Sequence, residues 1–324
     1  MEYLFAFTFG AIVGSFLNVC IYRMPRELSL HRPPSRCSFC AQPVLWHDNF
    51  PIFSYLRLGG QCRYCRTFFS ARYLCIEVLM GGLSVLCYQE MVASHPHYPQ
   101  SLMDVDLVIL FWFKYPQFVS AYFIGCVFLA VLVIATFIDF DFQIIPDSIT
   151  LGGTVMAVIA SVAFPYFHNS VRFRGGKDPL LDVLLERQVE QIAYAFYFSW
   201  GPHLEALIKS LVGALVGAAI VWAVGVLGKV LFKKDAMGFG DVKFNAMIGA
   251  FLGWEVGIGT LLLGSVIGAI AGIAIILRTK QTRMPFGPYL SLAAALLFLY
   301  RDKIRMLVNM WMQFVSSMVE KVMG

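Results

Sequence analysis

Long stretches without charge decide what this chain can become. Residues 4–22, 118–138 and 256–277 contain no Asp, Glu, Lys or Arg. Each run is close to the roughly 20 residues that cross a bilayer core of about 30 Å. The whole chain of 324 residues is 59% hydrophobic and 14% charged, against about 45–50% and about 25% in ordinary globular domains. A soluble single-core enzyme is excluded on that ground.

Further apolar runs predict helices over 74–88, 149–164, 207–232, 242–254 and 286–300, making about eight transmembrane helices. The first run lacks the basic start of a signal peptide, since only Glu2 precedes it, and reads as a retained helix with its N-terminus outside. Gly264, Gly268 and Gly272 recur every four residues and line one helix face, where they allow close packing. Within the polar 165–206 stretch, 180–198 reads as an interfacial helix. The tail, 301–324, reads as amphipathic.

Residues 23–73 hold eight Arg and no Lys, opposed only by Glu27 and Asp48. Basic loops stay in the cytoplasm. The net charge of +5 sits largely there, so it reads as membrane orientation rather than nucleic-acid binding. Alternation then puts 139–147, 233–241 and 278–283 inside, and 165–206 and the C-terminus outside. Arg301, Lys303 and Arg305 run against an outside tail.

Four of the eight cysteines form two pairs, Cys37-Ser-Phe-Cys40 and Cys62-Arg-Tyr-Cys65, separated by 21 residues. Two residues inside each pair let both thiolates face one ion, and four such ligands make a closed structural zinc site. The alternatives are four unrelated cysteines or two redox pairs. His31 and His47 read as solvated neighbours, and the other four cysteines as thiols in apolar runs.

Acids beside the apolar runs are the other chemical signal. Asp139 and Asp141 close the third long run, and Asp241 opens the sixth. Charges at membrane depth are costly and mark function by default. Two nearby carboxylates share a proton, so that one activates water while the other protonates a carbonyl. Gly238 and Gly240 precede Asp241 and would let a substrate strand approach the backbone.

Met237-Gly-Phe-Gly-Asp241-Val-Lys243 resembles the GxGD signature of intramembrane aspartyl proteases. Ile138-Asp139-Phe-Asp141-Phe-Gln-Ile-Ile-Pro146-Asp147 is similar to the other half of the type IV prepilin peptidase site. Gly14-Ser-Phe-Leu-Asn18-Val-Cys-Ile-Tyr22-Arg23-Met-Pro25, Pro33-Pro34-Ser35-Arg-Cys37 and Pro285-Phe286-Gly287-Pro288 resemble further segments of that family, in the family's order.

The resemblance implies an aspartic endopeptidase with Asp139 and Asp241 as the catalytic pair. It makes Asp141, Asp147, Gly238, Gly240 and Lys243 supporting groups. Because all four cysteines are present, it also implies N-methylation of the new N-terminus from S-adenosylmethionine. Expected substrates are prepilins or pseudopilins, cut at the cytoplasmic face of a bacterial inner membrane. Glu77 reads as a site for the leader's positive charge or the methyl donor's, or as a snorkelling interfacial acid. The expected architecture is an all-α polytopic membrane protein with a small cytoplasmic zinc-binding cysteine domain. Its divisions are a first helix (1–22), the cysteine domain (23–73), a second helix with an outer loop (74–117), a membrane peptidase domain (118–300) and the tail (301–324). Rivals are a peptidase without methyl transfer, a proton-coupled transporter and a silent zinc-anchored scaffold.

Overall fold

A computed structural model describes residues 2–93, 115–170, 193–233, 238–279, 284–301, 303–304, 306 and 310. Several expectations fall outside those residues. They are most of the outer loop, the beginning of the interfacial helix, part of the 233–241 turn and most of the tail.

Among the described residues the chain is helical and forms no strand, only two isolated bridges. The helices are α1 (Glu2–Arg23), α2 (Phe53–Arg57), α3 (Arg72–Tyr88), α4 (Pro116–Phe142), α5 (Asp147–Ala163), α6 (Pro165–Ser170), α7 (Ala193–Phe232), α8 (Phe239–Leu252), α9 (Trp254–Thr279) and α10 (Gly287–Leu299). Five segments are long and apolar enough to cross a membrane: Glu2–Arg26, Arg72–Ala93, Pro116–Phe142, Gly201–Leu231 and Trp254–Ile275. At 17, 14 and 13 residues, α5, α8 and α10 fall short of that length.

Three boundaries differ from expectation. The helix expected to stop before Asp139 continues through Asp141 to Phe142. Its end is set by Gln143, left-handed at φ 54, whose N–H bonds Asp139 O. Pro146 then disfavours helix in the residue before it. The helix expected from 207 starts at Ala193 and carries Pro202 inside it. Helix α8 begins at Phe239, so Gly240 and Asp241 lie within its first turn rather than in a preceding loop.

The chain forms two compact units: 1–149 with 283–291, and 150–282 with 292–324. In the first, α1 and α3 touch through glycine. A Cβ at Gly10 would stand 2.5 Å from Met80 O, and one at Gly14 2.8 Å from Glu77 Cα. This is the close backbone approach that small residues permit between membrane helices. The Ser84 hydroxyl donates to Ala6 O and accepts from Tyr122, both at 2.8 Å, joining α3 to α1 and α4.

The second unit uses the same device. Gly213 of α7 faces Gly249 of α8 too closely for either to carry a side chain. Asn245 donates to Gly217 O and Gly257 O, binding α8 to α7 and α9. The last carbonyls of a helix have no intrahelical partner. His168 and Ser210 both bond the one at Ala250. Along α9, Gly264 and Gly272 are buried and Gly268 is partly so, on the expected covered face.

Candidate functional site

The cysteine pairs sit in two turns of one design. Cys37 N–H bonds Gln42 O at 3.0 Å and Ala41 N–H bonds Cys37 O at 2.9 Å; Cys62 N–H bonds Thr67 O at 2.9 Å and Arg66 N–H bonds Cys62 O at 3.0 Å. Each turn is closed by an antiparallel bridge, Arg36 with Pro43 and Gln61 with Phe68. The residue after each second cysteine is left-handed, Ala41 at φ 56 and Arg66 at φ 54. That conformation turns the backbone so that both thiols of a pair point to one place.

The four sulfur atoms lie within 4.8 Å of one another. Cys37 and Cys65 are 3.7 Å apart, Cys40 and Cys62 3.9 Å. A tetrahedron with metal–sulfur bonds of about 2.3 Å has edges of about 3.8 Å. The cluster therefore fits one tetrahedral thiolate-bound metal.

Asp48 organises the surrounding arginines. Arg63 grips both its oxygens, at 2.6 and 2.5 Å, and Arg57 bonds Oδ1 at 2.7 Å. The hydrogen bonds from Arg63 hold its carboxyl low, at about 2. Arg23, at the end of α1, donates to the carbonyls of Ser29, Leu30 and Pro33. The arginines thus also tie the loop to its helix, a use that charge counting does not reveal.

Asp139 lies on α4, one turn from its end, and is 5% exposed. Its Oδ2 accepts the N–H of Gly287 at 2.9 Å. A Cβ at position 287 would stand 2.6 Å from that oxygen, so any larger residue there requires the carboxylate or the backbone to shift. The sequence flagged the Pro285–Pro288 string without assigning Gly287 a role. Asp141, two residues on, is exposed and paired with Arg72 at 2.6 Å. Arg72 also donates to Phe137 O at 3.3 Å and lies 4.9 Å from the Phe137 ring. Asp147 opens α5, where an acid suits the positive end of the helix.

In the second unit, Asp241 is partly buried in the first turn of α8, its N–H bonding Gly238 O at 3.1 Å. Gly238 has φ −75. A Cβ there would lie 3.6 Å from Asp241 Oδ2, so neither backbone angle nor crowding demands glycine. Lys243 Nζ stands 5.0 Å from the centre of the Phe239 ring.

Glu77 is 8% exposed on α3. Its Oε2 accepts the N–H of Ile52 at 2.7 Å. Ile52 has φ 62, a conformation that strains a β-branched residue. The Glu77 contact helps to hold it. No spacing in the sequence links 52 to 77.

These features define a class: a helical protein with membrane-length apolar helices, a four-cysteine cluster able to hold a metal ion, and a buried acid at a helix end. Residues 8–91 match the Bacterial Peptidase A24 N-terminal domain, and 191–273 match the Type IV leader peptidase family. The prepilin leader peptidase/N-methyltransferase of Pseudomonas putida is 30% identical, over 91% of this chain and 89% of its own. That of Stutzerimonas stutzeri is 30% identical over 92% and 91%, and that of Aeromonas salmonicida (strain A449) 29% identical over 92% and 90%. This chain belongs to the prepilin leader peptidase/N-methyltransferase family. No solved structure matches it.

Proposed function

We propose that this enzyme removes the basic leader from prepilins or pseudopilins at the cytoplasmic face of a bacterial inner membrane, and then methylates the new N-terminus. The observation that carries the peptidase half is the buried Asp139 carboxyl, held by Gly287 on an apolar helix, in a chain of this family. Asp241 is its partner in the reading. One carboxylate takes a proton from water, which attacks the scissile carbonyl, while the other carboxyl gives its proton to the carbonyl oxygen. Collapse of the adduct breaks the C–N bond and the departing nitrogen takes a proton, leaving a free amine.

Asp141 supports the site through its ion pair with Arg72, which fastens the end of α4 to the start of α3. Asp147, Gly238, Gly240 and Lys243 are supporting groups by their place beside the two acids. Residues 118–300 form the peptidase domain in this reading. Cys37, Cys40, Cys62 and Cys65 hold zinc. Four protein ligands leave no open position, so the ion stabilises the 23–73 domain and takes no part in hydrolysis. S-adenosylmethionine supplies the methyl group. The arginines of 23–73 favour a cytoplasmic placement. All eight apolar helices enter the membrane, the shorter ones across part of its depth.

Asp139→Asn and Asp241→Asn, made separately and assayed on a prepilin in membranes, test the pair. Each variant is expected to fold and to lose cleavage by at least a thousandfold. A folded variant that cleaves at the parental rate removes that aspartate from the mechanism. Methyl transfer to a pre-cleaved pilin, measured in parallel, separates the bifunctional enzyme from a peptidase alone.

A further inference from the structure

Large aromatics left together in the open on a polar segment mark a binding surface. The arginine-rich segment leaves Trp46 78% exposed and Phe50 53% exposed, with their rings 6.1 Å apart, edge to face. Both line a cleft of about 540 Å³ whose other wall is α1, through Ile12, Phe16, Val19 and Arg23. Ile12 and Phe16 are themselves exposed. At 1.5 Å per residue they lie about 16 and 10 Å before the end of α1 at Arg23. The two aromatics therefore do not project beyond α1. They fold back along its last turns.

The span Glu2–Arg26 is long and apolar enough to cross a membrane. Ile12 falls near its middle, and Arg23 near its end, where an arginine reaches the headgroups. Side chains that share a cleft with Phe16 thus stand at the depth where one leaflet passes from hydrocarbon to headgroup. Tryptophan settles at that boundary, its ring in the apolar layer and its N–H toward water. The charge at the rim agrees. Arg23 and His31 line the cleft and no acid does. Arg32, between His31 and Pro33, is exposed, and its side chain makes no hydrogen bond or ion pair among the described residues. Asp48, two residues before Phe50, is held by Arg57 and Arg63. Such a rim attracts anionic headgroups. A basic leader peptide would be repelled there, so charge favours lipid over substrate as the occupant.

We propose that residues 46–51 form an interfacial anchor: Trp46 and Phe50 enter the cytoplasmic leaflet beside α1, and Arg23, His31 and Arg32 face anionic phospholipid headgroups. The identity of the leaflet rests on the orientation proposed above. The anchor holds the metal-bearing segment against the membrane between the two helices it connects, α1 and α3. It thereby steadies the start of α3, where Arg72 pairs with Asp141, two residues from Asp139.

The test reads Trp46 in the full chain, reconstituted in bilayers of phospholipid brominated on its acyl chains. Subtracting the emission of Trp46→Phe from that of the parent isolates Trp46 from the other five tryptophans. Bromination is expected to quench the Trp46 signal at least twofold. In an unbrominated phosphatidylcholine bilayer, a fixed mole fraction of brominated phosphatidylglycerol should quench Trp46 at least twice as strongly as the same fraction of brominated phosphatidylcholine. Arg32→Gln should bring the two lipids closer together. Retained metal shows that each variant is folded. If the other tryptophans are quenched and Trp46 is not, the segment stands clear of the bilayer and the anchor falls, while the membrane helices stand. If no tryptophan is quenched, the membrane placement itself falls. Equal quenching by the two lipids overturns headgroup recognition. Relief of Trp46 quenching by added prepilin would make the cleft a substrate dock and overturn lipid as its occupant. The readout is the same for either leaflet, so a reversed orientation leaves it unchanged and is detected separately by protease accessibility. If Trp46→Phe loses its metal, a diazirine-bearing phospholipid on the parent decides. Attachment within 46–51 supports the anchor, and attachment confined to the helices overturns it.

Discussion

Gly287 shows how a residue without a side chain constrains one that carries an acid. It is 148 positions from Asp139, yet its N–H holds the carboxylate. Gly287→Ala puts a Cβ 2.6 Å from Oδ2, so either the acid or the start of α10 must shift. Cleavage is expected to fall at least tenfold while the protein still inserts and keeps its metal, as a steady-state prepilin assay would show. Asp48 makes a different case. Its carboxyl is held near 2, below an unfolded value of about 3.9. A depressed carboxylate contributes stability above the unfolded value and loses it as pH falls through the folded one. Asp48→Asn should therefore lower stability at pH 7 by about 1 kcal/mol, allowing for screening of the partly exposed arginines. The gap from the parent should close between about pH 4 and 2, because protonation removes what Asn has already removed. Thermal unfolding followed by fluorescence of the nearby Trp46 checks both the sign and the window.

Among elements, the two cysteine turns stand out because little else supports them. Between 24 and 71 the chain has two short 3-10 turns and the five-residue α2. Its buried side chains are few, mainly Cys37, Cys62 and Ser54. Metal binding to such a segment supplies its folding free energy. Stripping the ion with a strong chelator is expected to expose 24–71 to trypsin at its many arginines while α1, α3 and α4 stay intact. A digestion pattern unchanged by chelation would mean that the turns fold without metal. The α-helices themselves were largely legible, because apolar runs of membrane length admit few other structures. Their ends were less so. Gln143 adopts a left-handed conformation and Pro202 sits inside α7, although glutamine and proline suggest the opposite in each place. At Gly253, φ 87 and ψ 168 separate α8 from α9 in a region that is essentially glycine's alone.

At the scale of the whole molecule, the proposed orientation rests on the arginine-rich segment. In inverted vesicles, chelated protein should lose 24–71 to trypsin, and in intact spheroplasts the segment should survive. The reverse pattern would move the acids to the outer face and sink the proposed substrate. The sequence by itself determined the helical membrane class, the four-sulfur cluster and the acids worth testing. Each of these follows from local composition or short spacing. Only the tertiary structure decided what holds them. Gly10 and Gly14 let α1 meet α3, Arg72 ties α3 to α4, Gly287 seats Asp139, and Ile52 joins Glu77. These contacts join residues far apart in the chain, often through a backbone N–H that every residue but proline possesses, so no side-chain pattern could announce them.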